Sequence, residues 1–190
     1  MTDQTLKYKT CRRWNVPWQA HELTFSCYRG HAFLSRPRTC EYLAKAILQA
    51  QVKHGFSVWG YVFMPEHAHL LIWPQREQYS ISDILKSIKQ SVSRRAVAWL
   101  KASNPAGLGL LATRQADKPY QFWQDGGGYD RNVRRGSDLM LMLNYIHNNP
   151  VARGLVARPE DWEWSSARDW ADLRPGPIPL DKESFLNSII

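Results

Sequence analysis

The sequence predicts an α+β domain. It has one antiparallel sheet built in the order strand, helix, strand, strand, helix, strand, followed by a further helix and a short irregular tail. Three observations predict this class. Four short segments read as strands, the first and fourth by alternation and the second by its Phe, Val, Trp and Tyr. Two longer segments between them carry apolar residues three and four apart, as amphipathic helices do. Two of the strands are separated only by Pro65-Glu66, a connection too short for anything but an antiparallel hairpin.

The elements follow in order. Residues 1–20 are polar, basic and tryptophan-bearing, and read as an N-terminal arm. His21 to Tyr28 alternates as a first strand. Thr39 is placed to cap a helix from Cys40 to His54, and Gly55 to end it. Phe56 to Met64 is a second strand and His67 to Trp73 a third. Ser80 caps a second helix from Ile81 to Ala102, whose apolar stripe is Ile81, Leu85, Ile88, Val92 and Trp99. Residues 103–120, with Asn-Pro, several Gly and Lys-Pro, read as a loop. Gly126-Gly127-Gly128 breaks the chain before a fourth strand, Tyr129 to Arg134. Ser137 caps a third helix that runs to Asn149 and stops at Pro150. The first six elements make the βαββαβ order of a ferredoxin-like sandwich with both helices on one face of the sheet. That architecture hosts many functions, so the chemistry must come from particular residues. The expected organisation is an arm (1–20), a catalytic domain (21–157) and a C-terminal tail (158–190).

The bulk numbers narrow the function. With 190 residues, 44% of them hydrophobic and 22% charged, the chain suits one soluble domain with a real core. No apolar run is long enough to cross a bilayer, and the start lacks the layout of a signal peptide. The expected location is therefore cytoplasmic. Cys11, Cys27 and Cys40 are an odd number with no Cys-x-x-Cys pair, which argues against a disulfide framework or a zinc knuckle. The net charge of +8 suits a polyanionic partner. Residues 86 to 135 concentrate it, with ten Lys or Arg against three acids, Asp117, Asp125 and Asp130.

Two segments flank that basic region and carry candidate chemistry. In Met64-Pro65-Glu66-His67-Ala68-His69-Leu70-Leu71, alternation along a strand points His67 and His69 to one face. Two imidazoles so placed can hold one divalent cation, and Glu66 can orient His67 by a hydrogen bond. In Asn144-Tyr145-Ile146-His147-Asn148-Asn149-Pro150, Tyr145 and Asn149 stand one helical turn apart, beside a buried stripe of Leu139, Met142, Leu143 and Ile146. Facing the histidines, Asn149 would add an amide oxygen to the cation, and Tyr145 a phenol able to attack phosphorus. A neighbouring cation favours the phenolate. Tyr129, after the glycines and next to Asp130, is a second candidate nucleophile.

Three blocks of sequence resemble the single-tyrosine HUH transposases, specifically the REP-associated tyrosine transposase group. They are Gly60-Tyr61-Val62-Phe63-Met64-Pro65-Glu66-His67-Ala68-His69-Leu70-Leu71, then Phe122-Trp123-Gln124 to Tyr129-Asp130, then Tyr145-Ile146-His147-Asn148-Asn149-Pro150-Val151. Gly154-Leu155-Val156, Pro159-Glu160-Asp161-Trp162 and Trp164-Ser165-Ser166-Ala167 extend the likeness, which spans roughly residues 20–170. The resemblance implies that His67 and His69 bind Mg²⁺ or Mn²⁺, that Asn149 completes the metal site, and that Tyr145 is the nucleophile. It implies cleavage of single-stranded DNA near hairpin-forming repeats, a 5′-phosphotyrosine link, a free 3′-hydroxyl and rejoining of strands. Ala68, between the histidines, is a small residue but still apolar.

Basic residues fit such a partner. Lys86, Lys89, Arg94 and Arg95 on the second helix, and Arg131, Arg134 and Arg135 at the fourth strand, are expected to follow a phosphate backbone. Trp123, Trp162 and Trp164 are candidates to stack unpaired bases, though packing explains most of the nine tryptophans. Two other functions remain open from sequence: a hairpin-binding protein that does not cut, and a metal-dependent phosphodiesterase that uses water. The oligomeric state, monomer or homodimer, is open as well.

Overall fold

A computed structural model of the chain describes residues 14–126, 128–133 and 136–189. The elements are β1 (Ala20–Ser26), α1 (Pro37–His54), β2 (Phe56–Phe63), β3 (His67–Pro74), α2 (Ile81–Ser103), β4 (Tyr129–Val133), α3 (Gly136–Ala152), α4 (Ala167–Trp170) and α5 (Lys182–Ile189). The strands form one antiparallel sheet in the order β2-β3-β1-β4. This is the expected ferredoxin-like α+β order.

Alternation divides the sheet into two faces. Leu23, Phe25, Val58, Tyr61, Ala68, Leu70 and Ile72 point to one face and join a core with Leu43 and Ile47 of α1 and Ile84, Ile88 and Val92 of α2. Trp59, Val62 and Leu71 point to the other and join Leu139, Leu143 and Ile146 of α3 and Phe185 of α5. The phase of β2 slips at a bulge between Val58 and Gly60, which lets Tyr61 return to the first face. Gly60 has a second duty. A Cβ there would lie 2.5 Å from Leu143 Cδ1, so any larger residue would have to displace the Leu143 side chain where α3 packs on β2.

Several element ends differ from expectation, each for a local reason. α1 begins at Pro37, whose fixed φ suits the first helical turn. Thr39 lies inside the helix and donates its hydroxyl to the Phe33 and Arg36 carbonyls instead of capping. Ser80 does cap α2, accepting from Asp83 N at 3.2 Å. Cys27 leaves β1 to bridge Trp123, and Tyr28 enters a short 3₁₀ turn. Residues 103–120 are not all loop, because Pro105–Leu111 winds as a 3₁₀ helix and Ala112 pairs with Tyr120. α3 starts before Ser137 and passes through Pro150. Pro150 falls in the last turn, where its missing N–H costs the bond to the Ile146 carbonyl but few helical residues follow. Arg153 N still donates to the Asn149 carbonyl and Leu155 N to that of Pro150, and Gly154 ends the helix at φ +66°.

The segment from 158 onward carries two short helices and covers the sheet. Ser165 bridges Val62, Phe185 is fully buried, and its ring stands edge-on to Trp59 at 5.4 Å. Cys27 and Cys40 are buried free thiols, each pushed up to about 12 chiefly by burial. Cys11, Arg134, Arg135 and most of the expected arm lie outside the described residues. No helix among the described residues is long and apolar enough to cross a membrane.

Candidate active site

The site lies on the α3 face, at the end of the sheet where β3 begins. Pairing places Ser26 opposite His67, and Thr24 opposite both His69 and Tyr129. Side chains of β1, β3 and β4 therefore gather under α3. Gly128 permits this, since a Cβ at its φ of +68° would stand 1.9 Å from the Thr24 carbonyl oxygen. On the opposite face, Asp130 accepts from His21 Nδ1 at 2.8 Å, and His21 Nε2 meets the Tyr79 hydroxyl at 2.7 Å. This buried chain of contacts pins β4 to β1, and so holds Tyr129 and Arg131 over the site.

Each histidine is oriented through its Nδ1. His69 Nδ1 meets Glu22 Oε1 at 3.0 Å and Thr24 Oγ1 at 2.9 Å, while Thr24 donates its own proton to Glu22 at 2.7 Å. Both neighbours are then acceptors, so His69 carries its proton on Nδ1. His67 Nδ1 likewise donates to Glu66 Oε1 at 3.1 Å, and Glu66 is held in turn by Arg153 Nη1 at 2.9 Å. Burial pushes the Glu66 carboxyl up, but His67 and Arg153 together outweigh it and hold it below the usual carboxylate range. The His67 imidazole lies below its ordinary value, mainly through burial, with His69 adding to the effect and Glu66 opposing it.

The consequence is at the other nitrogens. His67 Nε2 and His69 Nε2 stand 3.1 Å apart, and the Asn149 carboxamide reaches His69 Nε2 at 3.3 Å. Two lone pairs facing each other at that distance repel unless a proton or a cation sits between them. Ligands each about 2.1 Å from one ion stand about 3 Å apart at right angles, so the spacing fits a shared cation. Among the described residues no three His, Cys, Asp or Glu side chains converge on an ion. The third donor here is an amide, whose oxygen and nitrogen are interchangeable by a flip.

Tyr145 stands beside this cluster, its ring edge-on to His69 with centroids 5.6 Å apart. It is 57% exposed, whereas His69 is 5% exposed and Glu22 2%. A cleft of about 530 Å³ opens in front of it, lined by Glu22, His69, Tyr129, Arg131, Asp138 and Tyr145 among others. Behind Tyr145, His147 turns into the protein and meets Ser166 Oγ at 2.8 Å, and that hydroxyl accepts from Tyr61 N at 2.9 Å. Burial pushes His147 down to about 4. Its contact fastens the tyrosine helix to β2.

The structure thus brings together His67, His69, Asn149 and Tyr145, with Tyr129 and Arg131 across the cleft. Lys86, Lys89, Arg94 and Arg95 stand elsewhere, on the helix that covers the other face of the sheet. Lys89 Nζ donates to the carbonyls of Gln124 and Gly126, and Arg95 reaches Gln49 at 3.5 Å. Trp123 is buried against Phe25, Trp164 stacks on Phe63, and Trp162 donates to the Phe63 carbonyl, so all three have packing partners. Sequence reasoning missed Glu22, Thr24, Arg153 and the anchoring role of His147. The one available signal was the alternation of the first strand, which sets Glu22 and Thr24 on the face opposite Leu23 and Phe25.

Residues 18–149, well over half of the chain, match the family profile of the IS200-like transposases. The chain belongs to that family. Among solved structures, it is similar to a REP-associated tyrosine transposase bound to a REP hairpin, at 21% identity and a TM-score of 0.67, covering 94% of this chain and 93% of that one. It is also similar to a protein described as a transposase of Deinococcus radiodurans R1, at 20% identity and a TM-score of 0.46, covering 74% of this chain and 97% of that one. No curated protein matches the chain. Membership in the family makes this a transposase-type protein of DNA, and the first of these structures has the same fold along nearly the whole chain.

Proposed function

We propose that this IS200-like transposase is a metal-dependent endonuclease and strand transferase of single-stranded DNA, acting at hairpin-forming repeats through a tyrosine-linked intermediate. The observation that carries the reading is the convergence of His67 Nε2, His69 Nε2 and the Asn149 amide beside an exposed Tyr145. Its proposed partner is supported by the similar structure, which holds a REP hairpin, and by the chain's net charge of +8. The residues named for this role all lie on one chain, an arrangement open to a monomer or a homodimer.

In this reading His67, His69 and Asn149 would hold Mg²⁺ or Mn²⁺, which, when bound, supplies Lewis-acid polarisation of a phosphoryl oxygen. Glu22 with Thr24, and Glu66 with Arg153, keep each imidazole turned with its Nε2 toward the cluster. Tyr145 Oη attacks phosphorus. The Oη–P bond forms as the P–O3′ bond breaks, the phenol proton leaves to the open cleft, and the departing O3′ takes up a proton. One phosphodiester becomes another, so reversal by a new 3′-hydroxyl rejoins strands with no external energy source. Arg131, on the cleft wall, is placed to offset phosphate charge.

The test is a covalent-adduct assay. Labelled single-stranded DNA hairpins with random flanks are incubated with the protein and Mn²⁺, then run on a denaturing gel. A slow, protease-sensitive band is expected, lost with Tyr145→Phe or without metal. Hairpin binding with no band would support a binding protein that does not cut. Metal-dependent cuts without a band would support a hydrolase that uses water.

A further inference from the structure

A second concave surface lies away from the tyrosine cleft, on the helical layer. A cleft of about 510 Å³ opens between the first turns of α1, the last turns of α2 and the segments on either side of them. Its lining includes the rings of Phe33, Tyr42, Trp99 and Phe122 and the side chains of Arg36 and Arg38. The Arg38 guanidinium lies 4.0 Å over the Trp99 ring, and Phe33 packs on Phe122 with centroids 5.0 Å apart. Among the described residues that line it, none is Asp or Glu. The cleft is therefore an aromatic slot edged only by positive charge. That chemistry matches a flat heterocycle attached to a phosphate, because bases stack on aromatic faces and on guanidinium planes while arginine pairs with the phosphate.

The position of the cleft points the same way. Leu34 N donates to the Pro65 carbonyl at 2.9 Å and Cys27 N to the Glu66 carbonyl at 2.7 Å. The segment that forms one wall of the cleft is thus tied to the turn that carries Glu66 and His67. The cleft and the imidazole pair stand at the same end of the sheet, on opposite layers, with that turn between them.

We propose that this cleft seats an unpaired nucleotide of the DNA flank, with its base among Tyr42, Phe33 and the Arg38 guanidinium that already lies on Trp99, and its phosphate toward Arg36. The proposal rests on the DNA-processing reading above, and its occupant is part of a strand rather than a free nucleotide.

The test compares two probes on the full-length protein at fixed salt: a DNA hairpin with unpaired flanks, and the same hairpin with blunt ends. Arg36→Glu/Arg38→Glu and, separately, Trp99→Leu are each expected to weaken the flanked probe about 10-fold and to leave the blunt probe unchanged. A flank carrying 5-iodouracil is expected to cross-link wild-type protein at Phe33, Tyr42 or Trp99, a readout that does not depend on the variants folding. Flanked and blunt probes weakened equally, or cross-links only at other residues, would overturn the cleft as the nucleotide seat and leave the tyrosine reading standing. Failure of the wild type to bind either probe would overturn both.

Discussion

The two faces of this sheet are built from the same strands and do different things. Under α1 and α2, the residues from Leu23 to Ile72 make an apolar core, with the His21–Asp130–Tyr79 contacts at its edge. Under α3, the same alternation puts Glu22, Thr24, His67 and His69 in a row at one end, while Trp59 and Leu71 fill the other. The contrast shows how a site is placed on a packed sheet. The strands supply rigid alternation, and a polar cluster is tolerated where each buried group has a partner and one side opens to water. Of His67, His69, Asn149 and Tyr145, the tyrosine is the one left largely exposed.

The two faces should diverge most at that tyrosine. Tyr145→Phe is expected to reduce covalent-adduct formation by more than about 10³-fold, the scale seen when a covalent nucleophile is removed, without lowering the melting temperature. Tyr129, 55% exposed on the opposite wall of the cleft, is the internal control, and Tyr129→Phe should keep most of the adduct.

The next effect is on the anchor behind the site. His147 is buried with a value near 4, below the ordinary value of an unfolded histidine, about 6.5. In between, the unfolded state binds more protons. The stabilisation is therefore complete above about pH 6.5 and is lost as pH falls toward 4, by about 3 kcal/mol in all. Urea unfolding at pH 7.5 and pH 5 should show this loss in wild type and a smaller one in His147→Gln. An equal pH dependence in both proteins would mean that His147 does not set the acid sensitivity.

A smaller effect isolates the role of the buried acid. Glu22→Gln keeps the size of the side chain and weakens its hold on His69 Nδ1, and is expected to lower Mn²⁺ affinity about 10–100-fold, measured by calorimetry on the protein alone. An unchanged affinity would mean that the strand alone orients His69. The smallest effect concerns charge on the two faces. Arg131→Gln should weaken binding of a single-stranded substrate and slow adduct formation. Lys86→Gln with Arg94→Gln, on the exposed far side of α2, should lower the salt slope of binding by at most about 0.7 for each phosphate no longer neutralised and leave the adduct rate unchanged.

Much of this was legible in the chain. Strand alternation and helical stripes depend on neighbours a few residues away, so the βαββαβ order and the shared face of His67 and His69 could be read directly. The Tyr145–Asn149 pair was legible for the same reason, being one turn of a helix. What was hidden depends on register between distant strands. Nothing local says that Thr24 meets His69 or that Glu22 takes up its Nδ1. The position of α2 on the face away from the site could not be read from its charge pattern. Pro150 looked like a stop because a lone proline usually is one, and its place in the last turn depends on Gly154 closing the helix later. The helices beyond residue 158 escaped notice because Phe185 and Trp170 find their burial only against Trp59.

The most direct measurement is the identity of the residue that becomes linked to DNA. Wild-type protein incubated with Mn²⁺ and the hairpin that it cuts would be digested with protease and nuclease, and the nucleotide-bearing peptide sequenced by mass spectrometry. A phosphodiester-linked nucleotide on Tyr145 is the expected result. The same mass on Tyr129, or cut DNA with no modified tyrosine, would contradict a Tyr145 nucleophile.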